Sequence, residues 1–257
     1  GWPCHCERVN RFGAEEASEM ALCDKEECDY KKFWPGVQVC GKDNLRQQTA
    51  IWQAMLMSAG LPNSKQVLVF GFISADGQKM SKTLGNVVNP YDIVEKYGTD
   101  AVRYCLLKEI KPFSDSDYSE DKFKNLYNAD LANGLGNLVA RVSNLLEKND
   151  IEIDIKPGSD NILKERFEAE MDGYRFDLAL EVLWAKIRES DEFLSEKKPW
   201  KMEDKSEIKN VLEPIAQNIL NISIYLESFM PETASKIAKQ FSEKKVKKEE
   251  PLFMRLS

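Results

Sequence analysis

The sequence predicts an α/β segment followed by an all-helical segment, and three observations carry that expectation. Two short apolar runs, GVQVCGK (36–42) and QVLVFGFIS (66–74), flank a stretch with helical spacing between Asp43 and Gly60. Strand, helix and strand at this spacing form a βαβ unit, which pairs as parallel neighbours with a right-handed crossover. Beyond Pro90, apolar residues recur at helical intervals almost to the end. The length of 257 residues, with 42% hydrophobic content, is enough for two modest cores.

Each element follows from its local pattern. The first helix carries Leu45, Ile51, Trp52, Met55 and Leu56 on one face. The second strand leads into the polar loop DGQKMSKTLGN (76–86). In open α/β sheets ligands sit beyond the carboxyl ends of the strands. GKD (Gly41, Lys42, Asp43) and the lysine loop are therefore expected to converge on one site. In the helical half, Leu131, Leu135, Leu138, Val142 and Leu145 form an apolar stripe, with Asn133, Asn137, Arg141 and Asn144 on the polar side. FDLALEVLWAKI (176–187) starts a second helix that ends near KKPW, and EIKNVLEPIAQNILNISIYLESF (207–229) is apolar enough for the centre of a bundle. Pro112, Pro157, Pro199, Pro214 and Pro231 are expected to mark breaks. SEKKVKKEE (242–250) mixes both signs and is expected to be a solvated surface segment.

Composition narrows the function classes. The formal net charge of −7 argues against unselective nucleic-acid binding, which needs many Lys and Arg contacts to phosphate. No window approaches the roughly 18 consecutive apolar residues of a spanning helix, and GWPCHCERVN lacks the order of a signal peptide. No membrane partner and a cytoplasmic setting are expected. The cysteines at 4, 6, 23, 28, 40 and 105 are too unevenly placed for a disulfide framework and are read as reduced. Their C-x-C and C-x4-C pairs are poorly spaced for zinc knuckles, so no zinc site is expected in this chain.

Two lysines around Met80 and Ser81, with glycine on either side, suit the binding of phosphate whose charge moves during a reaction. An ammonium is a compact mobile charge, and glycine lets a loop close on its ligand. Asp43, at the neighbouring strand end, is placed to accept hydrogen bonds from ribose hydroxyls. A solvated basic turn has the same composition, and the residue order decides between the two. KMSKTLGN resembles the KMSKS signature of class I aminoacyl-tRNA synthetases, in Lys79, Met80, Ser81, Lys82 and Thr83. WPGVQVCGKDNLRQQTAIWQAMLMSAGLP, GTDAVRYCLL, SDSDYS, YNADLANGLGNLVARV, KKPW, ESFMPETASKI and PLFMRL then resemble the methionyl-tRNA synthetase family in order, over residues 29–257.

That resemblance implies the C-terminal half of a Rossmann-like catalytic domain (1–88, with 1–28 unassigned), a stem-contact segment (89–120) and an anticodon-binding helix bundle (121–257). The implied reaction is ATP-dependent activation of methionine as methionyl-adenylate and its transfer to tRNA(Met), with ATP and Mg2+ as cofactors. Lys79 and Lys82 would stabilise the charge that develops as pyrophosphate leaves, with Lys42, Asp43, Met80 and Ser81 completing the nucleotide contacts. Asn137, Arg141 and Trp200 would meet the anticodon through hydrogen bonds and stacking. Asp100 and Arg103, with SDSDYS, would belong to the stem-contact segment.

Three departures qualify this. Gln47 and Gln48 stand where many members have a Phe-His pair, and Asp191 stands where the family commonly has Asn. The only histidine is His5, in PCHCERV, which is not the His-Ile-Gly-His-like motif of class I synthetases, and the family's WFDA segment is absent as well. The chain is therefore expected to be the C-terminal part of a synthetase, with little activity alone and the missing half as a partner. An isoleucine or valine synthetase, and a non-catalytic tRNA-binding module derived from a synthetase, remain alternatives.

Overall fold

The computed structural model describes residues 33–81, 85–158 and 160–256. It divides into two compact units: one runs to Phe72 and includes Phe113–Asp115, and the other comprises Ile73–Pro112 with Ser116–Ser257.

In the first unit, β1 (Val37–Gly41) pairs in parallel with β2 (Gln66–Phe70), in register from Val37 opposite Gln66 to Gly41 opposite Phe70. The connection is the expected helical one, but it is not a single α-helix. It winds as a 3-10 turn (Lys42–Asn44), a π turn (Gln47–Ile51) and α1 (Trp52–Ser58). Side chains compete for the carbonyls that an α-helix would use. The Thr49 hydroxyl donates to the Leu45 carbonyl at 2.7 Å, and the Gln53 amide donates to the Gln48 carbonyl at 2.9 Å. Gln53 also donates to the Ser64 hydroxyl and accepts from the Ser64 N–H, tying the widened turn to the approach to β2.

The run QVLVFGFIS, expected as one strand, divides at Gly71. Its second part, β3 (Ile73–Ala75), lies in a different sheet, in the second unit. The break has a cause: the Phe72 N–H turns out of the ladder and donates to the Asp115 carboxylate at 2.8 Å. β3 pairs antiparallel with β4 (Gln78–Lys79) and parallel with β5 (Ser116–Tyr118), in the order β4-β3-β5.

The rest of the second unit is helical: α2 (Pro90–Tyr97), α3 (Thr99–Glu109), α4 (Glu120–Leu126), α5 (Asn137–Lys148), α6 (Asn161–Asp172), α7 (Phe176–Lys197), α8 (Lys205–Leu226) and α9 (Pro231–Phe241). Side-chain caps start three of them: Asn89 accepts from the Tyr91 N–H, Asp160 from Leu163 and Asp204 from Ser206. Between α4 and α5 the chain stays helical but widens into a π segment, Tyr127–Gly136. The apolar stripe faces inward: Leu131, Leu135, Leu138, Val142 and Leu145 are all buried in one cluster drawn from α3 through α9.

The prolines behave as expected with one exception. Pro199 opens a 3-10 turn (Pro199–Lys201) and Pro231 opens α9, where a missing N–H costs nothing. Pro214 does not break the chain and sits inside α8. It is on the exposed side, while Val211, Leu212, Ile215 and Ala216 around it are buried, so packing of the apolar face outweighs the lost hydrogen bond.

Segments far apart in the sequence are packing partners. Asp100 of GTDAVRY is buried in α3, where its carboxylate accepts from both the N–H and the hydroxyl of Thr233 at 2.6 and 2.7 Å, in the first turn of α9. Arg103, one turn on, donates to the carbonyls of Ser228 and Phe229 just beyond α8. One helix thus satisfies the orphan groups at the end of α8 and the start of α9. Asp100→Ala is expected to lower unfolding stability by about 1.5–3 kcal/mol through loss of charge-assisted bonds, and Asp100→Asn by less, measured as the shift in urea denaturation. Gly136→Ala is expected to cost about 1–3 kcal/mol in the same measurement, because its Cβ would lie 2.8 Å from the Leu131 carbonyl oxygen.

Candidate functional site

The lysine loop is built on a hairpin. Ser74 faces Lys79 and Ala75 faces Gln78, leaving Asp76 and Gly77 as the two-residue turn, with φ of +50° and +74°. Two positive φ values are the signature of the turn whose twist matches a hairpin, and Asp-Gly is a preferred pair for it. Asp117 on β5 fastens this turn. Its Oδ1 accepts from the Ser74 hydroxyl and the Gly77 N–H, both at 2.7 Å, and its Oδ2 pairs with Lys122 at 3.2 Å. The Ser74 hydroxyl, then the Gly77 N–H and Lys122, hold the Asp117 carboxyl below its ordinary pKa of 3.8.

Lys79 is the last residue of β4 and is exposed, whereas Met80 and Ser81 are half-buried. Asn86 closes the segment from the other side. Its Oδ1 accepts from the Ser81 N–H at 2.8 Å and its amide donates to the Lys79 carbonyl at 3.2 Å. One side chain therefore fixes the backbone on both flanks of Met80. Lys82 and Thr83 lie outside the described residues.

At the end of β1, in the first unit, Lys42 and Asp43 are both exposed. The Lys42 ammonium sits between the two oxygens of Asp115, at 2.5 Å from each, and 4.5 Å from the centre of the Phe72 ring. Lys42 thus has a carboxylate partner that the sequence did not announce. The Lys42 ammonium and the Phe72 N–H keep the Asp115 carboxyl below its ordinary value. Among the described residues, Asp43 carries only a neighbouring contact at 3.4 Å from the Asn44 amide, and its carboxylate is at the surface.

The third group lies in the helical half of the second unit. Asn137 opens α5 and is exposed, and Arg141 follows one turn later on the same face. Trp200, in the 3-10 turn after α7, is 47% exposed rather than packed. The structure brings Arg141 and Trp200 together, with the guanidinium carbon 5.4 Å from the ring centre. Asp191 on α7 joins them, its Oδ1 accepting from the Arg141 NH1 at 2.6 Å.

Sequence reasoning missed Asn86, Asp115 and Asp117, and left Asp191 without a role. Asn86 was visible in the LGN that follows the lysines. The aspartates act across 40 to 73 residues, and nothing local signals that. Among the described residues there is no group of three or more His, Cys, Asp or Glu that could hold a metal ion, and no helix is long and apolar enough to cross a membrane. His5 and the cysteines at 4, 6, 23 and 28 lie outside the described residues.

Residues 16–143 match the family model for tRNA synthetases class I (M). The chain is 38% identical over 221 residues to the methionine–tRNA ligase of Rhizobium meliloti, covering 80% of this chain and 43% of that protein. It is 37% identical over 227 residues to the methionine–tRNA ligase of Caldanaerobacter subterraneus, covering 82% and 36%. Among solved structures, the Mycobacterium tuberculosis methionyl-tRNA synthetase in complex with methionyl-adenylate superposes with a TM-score of 0.77 at 30% identity, over 87% of this chain and 47% of that one. The chain thus spans less than half the length of these relatives, and over that span it belongs to the methionyl-tRNA synthetase family of class I tRNA synthetases.

Proposed function

We propose that this chain is part of a methionine–tRNA ligase, which activates methionine with ATP as methionyl-adenylate and transfers it to tRNA(Met) in the cytoplasm. The observation that carries the reading is the hairpin that presents Lys79, fastened by Asp117 at its turn and by Asn86 beyond Met80. A cation that must meet a phosphate whose charge grows during reaction is most effective when its backbone is already in place. The hairpin supplies that order, and the lysine side chains supply the reach. ATP with Mg2+ would be held by Lys79, Met80, Ser81 and Lys82 together with Lys42 and Asp43. Lys42 then has to exchange or share its Asp115 carboxylate with the nucleotide, and Asp43 offers acceptors to ribose hydroxyls.

At the other end, Asn137, Arg141 and Trp200 would take the anticodon. An exposed indole next to a guanidinium is a stacking platform for an unpaired base, flanked by donors for its edge. The likeness to methionine–tRNA ligases favours methionine over isoleucine or valine as the amino acid.

The test is ATP–pyrophosphate exchange over a panel of amino acids. As given, the sequence has one motif of the class I ATP site and no His-Ile-Gly-His-like partner for it. The isolated chain is therefore expected to show methionine-dependent exchange far below that of a full-length relative, with no other amino acid doing better. Exchange at the full rate would overturn the half-site reading. In an anticodon stem-loop titration, Trp200→Ala is expected to weaken binding by about 1–3 kcal/mol. Lys79→Ala and Lys82→Ala are expected to leave that binding unchanged, and an equal loss in all three variants would refute the division between ATP loop and RNA face. Asn86→Ala, placed in a complete synthetase, is expected to lower kcat by about tenfold while sparing stem-loop affinity, since it disturbs positioning by one neutral hydrogen bond or two.

A further inference from the structure

Between α3 and β5, the residues Phe113, Ser114 and Asp115 leave the second unit and belong to the first. This excursion is built against the end of β2. Gly71 lies so close to it that a Cβ there would come 2.0 Å from the Ser114 carbonyl oxygen. The Phe113 ring centre is 5.4 Å from that of Phe70, and Phe113 is held at φ +65°, a conformation that an aromatic residue adopts only at a cost in free energy. At the end of the excursion, Asp115 accepts from the Phe72 N–H at 2.8 Å. Backbone and ring contacts thus fix Asp115 without help from Lys42.

Lys42 is the movable member of the pair. Its ammonium rests 2.5 Å from each oxygen of Asp115 and 4.5 Å from the centre of the Phe72 ring, so the carboxylate engages it with both oxygens. The two side chains are 39% and 59% exposed, and an ion pair this open to water costs little to break. A phosphate oxygen that reached the ammonium in this position would lie beside a carboxylate of the same sign. The lysine can carry its charge away from that repulsion on a flexible stem, whereas the aspartate is anchored. Exchange is therefore favoured over sharing.

Resting on the nucleotide reading of Lys42 above, we infer that Asp115 is a positioning residue that acts through Lys42, as a placeholder for the phosphate chain. In the empty site its carboxylate keeps the ammonium at the end of β1. An arriving triphosphate takes the ammonium over, and Asp115 recovers it when the phosphate departs. The pair lowers affinity, because only the unpaired fraction of Lys42 is ready to bind. It also gives the cation one resting place to move from, and gives the departing phosphate a competitor.

The experiment titrates the chain with inorganic tripolyphosphate and follows the Lys42 side-chain and Phe72 amide signals by NMR. Asp115→Asn keeps an oxygen for the Phe72 N–H but loses the charge, and is expected to bind about two- to fivefold tighter than the wild type. Asp115→Glu, which restores the charge, is expected to stay within about twofold of the wild type. Lys42→Ala is expected to weaken binding, and adding Asp115→Asn to it to recover no more than a small part of the loss. In the wild type, saturation is expected to shift the Lys42 signals and leave the Phe113 ring signals in place, because the excursion is anchored without the lysine. If Lys42→Ala binds as the wild type does, the nucleotide reading of Lys42 fails and this inference with it. If Lys42→Ala weakens binding but Asp115→Asn does not tighten it, the inference alone fails. Equal tightening by Asp115→Asn with and without Lys42 would make the aspartate a diffuse repulsive charge and overturn the inference, as would Phe113 signals that move together with those of Lys42.

Discussion

The polar face that carries Asn137 and Arg141 depends on the wide winding of Tyr127–Gly136. A π segment places more residues in each turn than an α-helix does, so its length sets the angle at which the following helix presents its side chains. Asn137 is the first residue after it, and Arg141 is one turn further on. The widening is supported from several directions. The Trp184 indole N–H donates to the Asp130 carbonyl at 3.3 Å, and the Tyr104 hydroxyl donates to the Asp130 carboxylate at 2.6 Å. Tyr104 and Trp184 stack with ring centres 4.2 Å apart, and desolvation drives the Tyr104 hydroxyl far above its ordinary pKa, so it stays a donor. Asn128 pairs with the main chain of Leu256 through both its oxygen and its nitrogen, and Phe253 meets Tyr127 edge to face. The PLFMRL segment thus braces the π segment that leads into the helix of Asn137 and Arg141.

A second theme is the use of carboxylates to fix the position of neighbouring groups. Asp117 fastens the hairpin turn, Asp115 holds Lys42, Asp191 holds Arg141, and Asp100 caps α9. A net charge of −7 argues against unselective RNA binding, and these contacts show what four of the acidic groups do instead. The exposed pairs add little to stability, since water screens them, but they restrict where a cation can go. A restricted cation loses less entropy when a ligand arrives, so the benefit appears in binding geometry.

Much of the architecture was legible in the sequence because hydrophobic period is a strong signal. The parallel β1 and β2 pair and the buried stripe from Leu131 to Leu145 follow directly from it. What escaped was decided by side-chain hydrogen bonds. Thr49 and Gln53 rewind the helix after β1, and nothing in their spacing marks them out. Phe72 leaves the strand ladder for Asp115, which splits an apolar run that reads as continuous. Pro214 was read as a break, yet a helix with a long buried face tolerates it on the wet side. At the candidate site, Lys79, Arg141 and Trp200 stood out by motif. Their fixtures did not, because Asp117 and Asp191 are ordinary surface aspartates until the fold brings a partner to them.

The hairpin and the Arg141 face share one frame. β5, which carries Asp117, is followed by α4, the π segment and α5 with Arg141 in unbroken succession. α4 is itself tied down near its start, where Glu120 takes the Tyr97 hydroxyl at 2.7 Å and the Lys96 ammonium at 2.5 Å. From Ser116 to Lys148 the backbone is therefore strand or hydrogen-bonded helix, apart from the turn at Ser119. A link of this kind sets a fixed distance between the lysine loop and Arg141. A constant span between two surface groups is a property that the backbone itself carries. Regular secondary structure is the simplest way for a chain to specify it, because each residue adds a fixed rise.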